Sequence, residues 1–304
     1  MTQALSAWTR SQRPRISFEL YPPRTEKGAR ELPRAIAALA AVKPDFFSVT
    51  YGASGRTRDA SGDLLQHILQ HTAVRPIAHL TCVGASEADL DELVSGLLRR
   101  GIRDILALRG DPPEGEPDWQ PHPQGLTTAS ELVRLLRRIE ARECDADRDP
   151  ISISVAAYPG GDVAADGSPI SDPNSIAALL AKQQAGADYA ITQVFFDAGH
   201  YRTFVDDARA AGVTVPIVPG IIPLTDPRRL RRLQTLTGVP LPTALMQQLE
   251  EPTDPQEQYR RGLAASVALV RAVLDVGAPG VHIYTFNAAG PALDLLAAAG
   301  LTPR

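Results

Sequence analysis

The feature that most constrains the fold is a regular alternation of short apolar segments with longer amphipathic ones. Eight segments rich in β-branched or apolar residues are bounded by Pro, Gly or a charge, which is typical of buried strands. They lie at residues 15–20, 45–50, 76–81, 103–108, 151–156, 189–194, 216–219 and 281–286. Between them, apolar residues recur three and four positions apart, which predicts helices. The clearest of these are residues 29–42, 87–100, 130–142, 175–185 and 259–276.

Strands that alternate with helices form parallel sheets. Eight such units in 304 residues match a closed (β/α)8 TIM barrel. A doubly wound open sheet is the alternative, but no GxGxxG fingerprint follows the first strand. We therefore predict a single α/β barrel domain over residues 1–304, in which residues 1–14 are a flexible or loosely docked segment. Inserts at 111–124 and 159–173 follow strands four and five, where barrel enzymes build their active sites.

Composition and charge narrow the function classes. The chain has 31 basic and 35 acidic residues and a net charge of −4, which argues against a nucleic-acid partner. No apolar run reaches the roughly 18 residues that span a bilayer, and the N-terminus lacks the apolar region of a signal peptide. Cys82 and Cys144 are far apart and offer neither a disulfide framework nor a metal pair. We expect a cytoplasmic enzyme that has no membrane segment, with a homo-oligomer left open.

Polar residues occur at the carboxyl ends of the predicted strands, where barrel chemistry takes place. They are Glu19, Thr50, His79, Arg109, Gly110, Asp111, Tyr158, Gln193, Tyr284 and Asn287. If the barrel closes, we expect many of these side chains to converge on one pocket.

Glu19 lies between Phe18 and Leu20. Apolar surroundings destabilise an ionised carboxyl and raise its pKa, which suits a general acid near neutral pH. The alternative is a carboxylate that pairs with an arginine at the barrel mouth.

Asp111 and Gln193 each allow two interpretations. Asp111 follows Gly110, whose lack of a side chain permits close approach to a ligand, and its two oxygens could accept hydrogen bonds from an aminopyrimidine edge. It could equally form a turn before Pro112 and Pro113. Gln193 stands in an apolar strand, where its amide needs a partner; a heterocyclic ligand or a backbone carbonyl would serve.

The histidines and a basic run are less specific signals. His79 fits a base, a ligand-binding donor or a satisfied core histidine. His67 and His71 have metal-ligand spacing on a helix but no third ligand nearby, so we predict no metal site. The arginines at 228–229 and 231–232 form either a solvated helix face or an attractor for an anionic substrate tail.

Eight blocks in sequence order resemble the methylenetetrahydrofolate reductase family. They are SFELYPPR at 17–24, SVTYGA at 48–53, AHLTC at 78–82, ALRGDPP at 107–113, SVAAYP at 154–159, AITQVFFD at 190–197, PGIIP at 219–223 and HIYTFN at 282–287. The resemblance spans roughly residues 15–290 and touches all eight predicted strands. It implies that 5,10-methylenetetrahydrofolate is reduced to 5-methyltetrahydrofolate with NADH or NADPH.

The resemblance also implies residue roles. Glu19 matches the acid that protonates N10, so that the ring opens to an N5 iminium and accepts a hydride. Asp111 matches a carboxylate that holds the pterin, and its charge would stabilise the iminium. The other implied substrate-binding residues are Gln193, Thr50, Phe195 and Tyr284. The implied cofactor-binding residues are His79, Arg109, Gly110, Tyr158, Ala129 and Lys182.

The sequence departs from the family where FAD is held. In familiar members a His after the Tyr-Pro, then Asp, Asn, Arg and Lys along the next helix, hold the flavin's phosphates and ribityl chain. The corresponding loop, 160–167, has no His, and the helix retains only Lys182 of this set. The replacements and added acids are Thr128, Asp162, Asp166, Ser175, Ala178 and Ala181.

These departures predict a reductase without FAD, in which the nicotinamide passes its hydride directly to the folate. An FAD relay is the alternative within the same reaction. A non-redox folate-barrel enzyme and a non-catalytic folate-binding protein are alternatives of other classes. Pro227 and Ala288 replace a Phe and an Arg that touch substrate in relatives.

Overall fold

A computed structural model describes residues 13–50, 55–111, 120–145, 149–160 and 162–302, without the side chains of 55–58 and 236–237. All but two residues of the predicted N-terminal segment 1–14 lie outside this part, as do residues 51–53 and 112–113 of the motif blocks.

Eight parallel strands close into a barrel in sequence order. They are β1 Arg15–Leu20, β2 Phe46–Val49, β3 Arg75–Thr81, β4 Asp104–Leu108, β5 Ser152–Ala157, β6 Tyr189–Val194, β7 Ile217–Ile221 and β8 Gly280–Tyr284. The seam joins β8 to β1, with Tyr284 opposite Glu19. The predicted (β/α)8 TIM barrel is therefore confirmed.

Helices connect the strands on the outside. They are α1 Glu26–Ala41, α2 Gly55–His71, α3 Glu87–Arg99, α4 Ala129–Glu143, α5 Pro173–Gln184, α6 Ala198–Ala210, α7 Pro227–Thr237, α8 Thr243–Glu250, α9 Pro255–Asp275 and α10 Ala289–Ala299. The expectation of one helix after each strand is wrong after β7, where α7, α8 and α9 follow. Gly238 ends α7 in a left-handed conformation, and Pro242 and Asp254 start new helices.

The barrel interior is packed at one end only. Side chains that include Phe46 and Tyr189, the first residues of their strands, form an apolar cluster inside it. A larger apolar layer fills the space between strands and helices. Towards the carboxyl ends the interior positions become polar, and this change leaves room for a cavity there.

Candidate active site

A cavity of about 930 Å³ opens at the carboxyl ends of the strands. Every strand, or the residue just after it, contributes to its lining: Glu19, Thr50, His79, Leu108, Tyr158, Gln193, Ile222 and Tyr284. Asn287 lines it too, so seven of the ten strand-end residues that the sequence singled out are brought together, as the strand-end argument predicted.

Glu19 lies on the cavity wall with its carboxyl only partly exposed. Thr50 Oγ1 donates a hydrogen bond of 2.9 Å to Glu19 Oε1. Burial raises the pKa of Glu19 to about 7, and the Thr50 hydrogen bond offsets part of that rise. No Lys, Arg or His among the described residues forms an ion pair with it, so the alternative of an arginine-paired carboxylate is not observed. A carboxyl of this pKa holds its proton in about half of the molecules at neutral pH.

Two buried histidines face the same cavity. Burial lowers the pKa of both His79 and His282 to about 3. Ser17 Oγ lies 2.9 Å from His282 Nδ1, and Ser48 Oγ lies 3.3 Å from its Nε2. His79 Nε2, by contrast, has no hydrogen-bond partner in the described part of the chain. With a pKa of about 3, His79 is a weak base near neutral pH, so it fits a hydrogen-bonding group for a ligand better than a base.

Tyr284, which is opposite Glu19 in the β1–β8 pairing, and Gln193 on β6 line the same cavity. Tyr284 donates a hydrogen bond of 2.8 Å to the backbone oxygen of Thr192, and burial raises its pKa well above the usual range. Gln193 Oε1 accepts a hydrogen bond from the amide of Val194. The Gln193 amide nitrogen has no partner among the described residues, so it is available to a ligand.

Tyr158 stands half-exposed at the end of β5, above Lys182. The Lys182 ammonium is 5.5 Å from the centre of the Tyr158 ring and donates a hydrogen bond of 2.8 Å to the oxygen of Ala156. Burial lowers the pKa of Lys182 to about 8. Lys182 is not among the lining residues, and it reaches the site only through its contact with the Tyr158 ring.

The loop after β4 carries three predicted residues, none of which is on the cavity lining. Arg109 Nη2 is 3.9 Å from Asp111 Oδ1, and both side chains are exposed. Gly110 has a φ of +85°, and a Cβ there would lie 2.5 Å from a Val83 methyl. Asp111 is outside the cavity lining. Burial is the main cause of the raised pKa of Tyr158, and the negative charge of Asp111 adds to the rise.

Ala129 and Phe195 lie in the protein interior. Ala129 is the buried first residue of α4, beside the Thr128 cap. The Phe195 ring is stacked on Tyr201 at 5.6 Å and belongs to the core between barrel and helices. The expected contact of Phe195 with substrate is not observed, because this ring faces α6 and does not line the cavity.

Comparison with known proteins decides the family. The family model for methylenetetrahydrofolate reductase matches residues 4–300. The chain belongs to the methylenetetrahydrofolate reductase family. It is 35% identical over 292 residues to 5,10-methylenetetrahydrofolate reductase of Escherichia coli K12, an alignment that covers 95% of this chain and 91% of that protein. The resemblance seen in the motif blocks is thus confirmed.

The plant members of the reductase family are longer. A probable methylenetetrahydrofolate reductase (NADH) of Oryza sativa is 32% identical over 292 residues, which cover 94% of this chain but 48% of that protein. The chain therefore spans about half the length of its plant relatives. Among solved structures, an uncharacterized Clostridium thermocellum protein, described as binding two copies of 5-methyl-5,6,7,8-tetrahydrofolic acid, superposes with a TM-score of 0.61. That match covers 94% of both chains at 14% identity, and it supports the shared fold.

The cavity of this reductase-family chain also has lining residues to which sequence analysis assigned no role or two alternative ones. Arg24, Arg229, Arg232 and Phe286 lie on its lining. Phe286 and Asn287 have backbone φ values of +50° and +59°. Residues other than Gly rarely adopt this left-handed conformation. Asn287 holds this turn by two hydrogen bonds to the backbone of Tyr21. The basic run at 228–232 indicated Arg229 and Arg232, whereas Arg24 and Phe286 lie within two of the motif blocks without an assigned role.

In the described residues, no group of three His, Cys, Asp or Glu could hold a metal ion. The His67 and His71 rings stack on each other at 4.3 Å. Within the same part of the chain, none of the helices has the length and apolarity needed to cross a membrane.

Proposed function

We propose that the chain reduces 5,10-methylenetetrahydrofolate to 5-methyltetrahydrofolate by direct hydride transfer from NADH or NADPH. Membership of the reductase family supports the reaction, and the NADH named for plant relatives supports a nicotinamide donor. The observation that carries the proposal is Glu19, a carboxyl with a pKa of about 7 on the wall of the cavity.

The chemistry requires an acid with that pKa. Glu19 gives its proton to N10 as the bond between N10 and the methylene carbon breaks, leaving an N5 iminium. The hydride from C4 of the reduced nicotinamide then forms the new C–H bond, which yields the N5 methyl group and the oxidised nicotinamide. Thr50 Oγ1 remains hydrogen-bonded to Glu19 and stabilises the carboxylate that is left.

We propose binding roles from the resemblance to the reductase family and from the chemistry of each side chain. We assign Gln193 and Asp111 to the pterin, because an amide and a carboxylate complement its donor and acceptor edge. We assign His79, Tyr158 and Arg109 to the nicotinamide. His79 suits this role because its free Nε2 and neutral ring match a carboxamide. The apolar Leu108 and Ile222 would help to exclude water from the hydride path.

The residues present do not fit the FAD phosphates. Lys182, the cation retained from the family pattern, directs its ammonium inward to Ala156. The N-terminus of α5 is already capped by the Asp172 carboxylate, and Asp162 and Asp166 are exposed on the preceding loop. Since anionic side chains oppose a pyrophosphate, we propose no step through a flavin.

The direct test is Glu19→Gln, which keeps the shape of the side chain but removes the proton. We expect kcat for nicotinamide oxidation with methylenetetrahydrofolate to fall by about 100-fold or more, with ligand binding largely retained. Glu31→Gln is the matched control, because Glu31 lies at the outer lining of the same cavity. Glu19→Gln activity within about threefold of wild type would remove Glu19 from the mechanism. Nicotinamide oxidation independent of the folate would contradict the proposed reaction.

A further inference from the structure

The last part of β6 departs from regular pairing with its neighbour β7. The register shifts between Ile191 and Val194, where β6 has one residue more than the facing stretch of β7. This extra residue makes a bulge at Thr192 and Gln193. Bulges are common beside active sites, where they determine the direction of a side chain. Gln193 lines the cavity, so the geometry of the bulge determines where a predicted ligand-binding amide lies.

Side chains from two other strands take part in holding the bulge. The Gly220 amide of β7 donates a hydrogen bond of 2.9 Å to Thr192 Oγ1. The Tyr284 hydroxyl of β8 donates one of 2.8 Å to the Thr192 backbone oxygen. That oxygen belongs to the peptide group that joins Thr192 to Gln193. The two hydrogen bonds therefore fix the backbone from which the Gln193 side chain projects.

Tyr284 passes over β7 at a glycine. A Cβ on Gly220 would lie 2.6 Å from Tyr284 Cε2 and 2.3 Å from the Thr192 oxygen. Both distances are far shorter than a favourable non-bonded contact. Because glycine has no side chain, another group can approach its backbone closely. Gly220 thus leaves the path by which the Tyr284 ring reaches across β7 to β6.

The Tyr284 hydroxyl is suited to holding a carbonyl and not to proton transfer. Burial raises the pKa of Tyr284 well above its usual range, and the charge of Glu19 adds to the rise. The hydroxyl therefore keeps its proton, which is already donated to the Thr192 oxygen. The Tyr284 ring also packs edge-on against His282, with the ring centres 5.2 Å apart. A neutral donor on a ring held in this way can fix a neighbouring strand.

We propose that Tyr284 is a positioning residue, which acts through Thr192 to direct the Gln193 amide towards the pterin. Tyr284 is opposite Glu19 in the β1–β8 pairing, and its hydroxyl reaches two strands away to β6. It therefore ties the wall that carries the acid to the wall that carries the amide. The spacing matters because N10 must reach Glu19 while Gln193 holds the pterin ring. This inference rests on the proposed function, because the pterin is the ligand assigned to Gln193.

The first test is Tyr284→Phe, which removes the hydroxyl and keeps the ring. We expect the Kd for 5-methyltetrahydrofolate, measured by calorimetry, to rise roughly threefold to tenfold, with the Kd for the nicotinamide nearly unchanged. Tyr201→Phe is the matched control. The buried Tyr201 hydroxyl also donates a hydrogen bond of 2.8 Å to a strand oxygen, that of Ile217, but Tyr201 is not on the cavity lining.

Tyr201→Phe should lose a comparable amount of stability in urea and keep the folate affinity of wild type. Equal losses of folate affinity in the two variants would mean that Tyr284 serves only the packing of the barrel, and the proposal would be wrong.

A double-mutant cycle with Gln193→Ala tests whether Tyr284 acts through the amide. If the hydroxyl serves only to direct Gln193, Tyr284→Phe should cost no further folate affinity in the Gln193→Ala background. Additive losses would show that Tyr284 contributes to substrate binding independently of Gln193, which would overturn the positioning role.

Backbone hydrogen exchange tests the same hydrogen bond without a ligand. In Tyr284→Phe, the amides around the β6 bulge, including that of Val194, should exchange roughly threefold or more faster than in wild type and in Tyr201→Phe. Unchanged exchange at the bulge would contradict the proposal. If wild type bound no 5-methyltetrahydrofolate, the proposed function would fail, and the exchange result would still decide whether Tyr284 holds the bulge.

Discussion

Glu19 lowers the stability of the folded protein in the pH range where it would act as an acid. Its pKa is raised from 4.5 to about 7, so the folded state binds the proton more tightly than the unfolded chain. The stability that this proton contributes is fully present below about pH 4.5 and is lost as pH rises through 7. An acid of this kind is a functional group retained at a cost to folding.

Glu19→Gln should therefore be more stable than wild type at high pH. The free-energy difference between the two proteins should change by about 2 kcal/mol in favour of the variant between about pH 5 and about pH 8.5. Urea unfolding at both pH values measures it. Glu31→Gln, which changes an exposed carboxyl on the same cavity lining, is the control variant. A constant difference for Glu19→Gln would mean that the carboxyl titrates normally.

Asp111 provides a second test at the level of one side chain. It is exposed beside Arg109, and we assign it to the pterin. Asp111→Ala should weaken binding of 5-methyltetrahydrofolate several-fold and leave binding of the nicotinamide nearly unchanged, which separate titrations would show. Asp162→Ala, an exposed acid on the β5 loop, is the control. Equal losses for both ligands would mean that Asp111 only shapes its loop.

Site residues could be predicted from the sequence where a strand determines which way the side chain points. Glu19, Thr50 and His79 were found because strand ends in a parallel barrel must meet. Phe195 was misplaced because it follows the end of β6, where the register shifts. The sequence does not decide whether Arg229 belongs to a solvated helix face or attracts an anionic substrate tail, because only the packing of α7 determines which arginines face the cavity.

At the level of elements, the strands were predicted to within two residues at every end. Buried strands are short and abruptly bounded, so their sequence pattern is sharp. Helix starts were less precise, and α9 begins four residues before the predicted 259. Its first turn contains Pro255 behind the Asp254 cap, and such polar starts carry no apolar periodicity. The eight-residue α8 was not predicted, because so short a helix shows little apolar periodicity.

The loop after β4 depends on one glycine. At Gly110, any side chain would meet Val83 and Thr81 and also occupy a φ of +85°. Gly167 has nearly the same φ, +83°, with nothing within 4 Å of the added Cβ. Gly110→Ala should lower the free energy of unfolding by about 2–4 kcal/mol, and Gly167→Ala by about 1 kcal/mol.

Chemical denaturation of the two glycine variants separates steric overlap from backbone strain. Gly110→Ala should also reduce folate affinity, because the loop carries Asp111 and Arg109. Equal destabilisation of the two variants would show that the contact with Val83 relaxes without cost.

At the level of the whole molecule, the hydride route determines what the purified protein contains. Direct transfer predicts a colourless protein that oxidises NADH or NADPH with methylenetetrahydrofolate and without added FAD. Both substrates must then be bound together, so initial-rate plots should intersect, whereas a relay that releases oxidised nicotinamide first gives parallel lines. A stoichiometric flavin absorption band, lost together with activity on stripping, would restore the FAD relay.

The seam between β1 and β8 also sets an order of events during synthesis. Glu19 is hydrogen-bonded through its backbone oxygen to Thr285, and Tyr21 is held by Asn287, 266 residues later in the chain. Contacts of such long separation form late and slowly. In a nascent chain on the ribosome, Glu19 is synthesised early. The barrel wall around it cannot close until β8 has emerged. Until then the edge of β1 that pairs with β8 has no partner strand, and an unpaired strand edge is prone to aggregation.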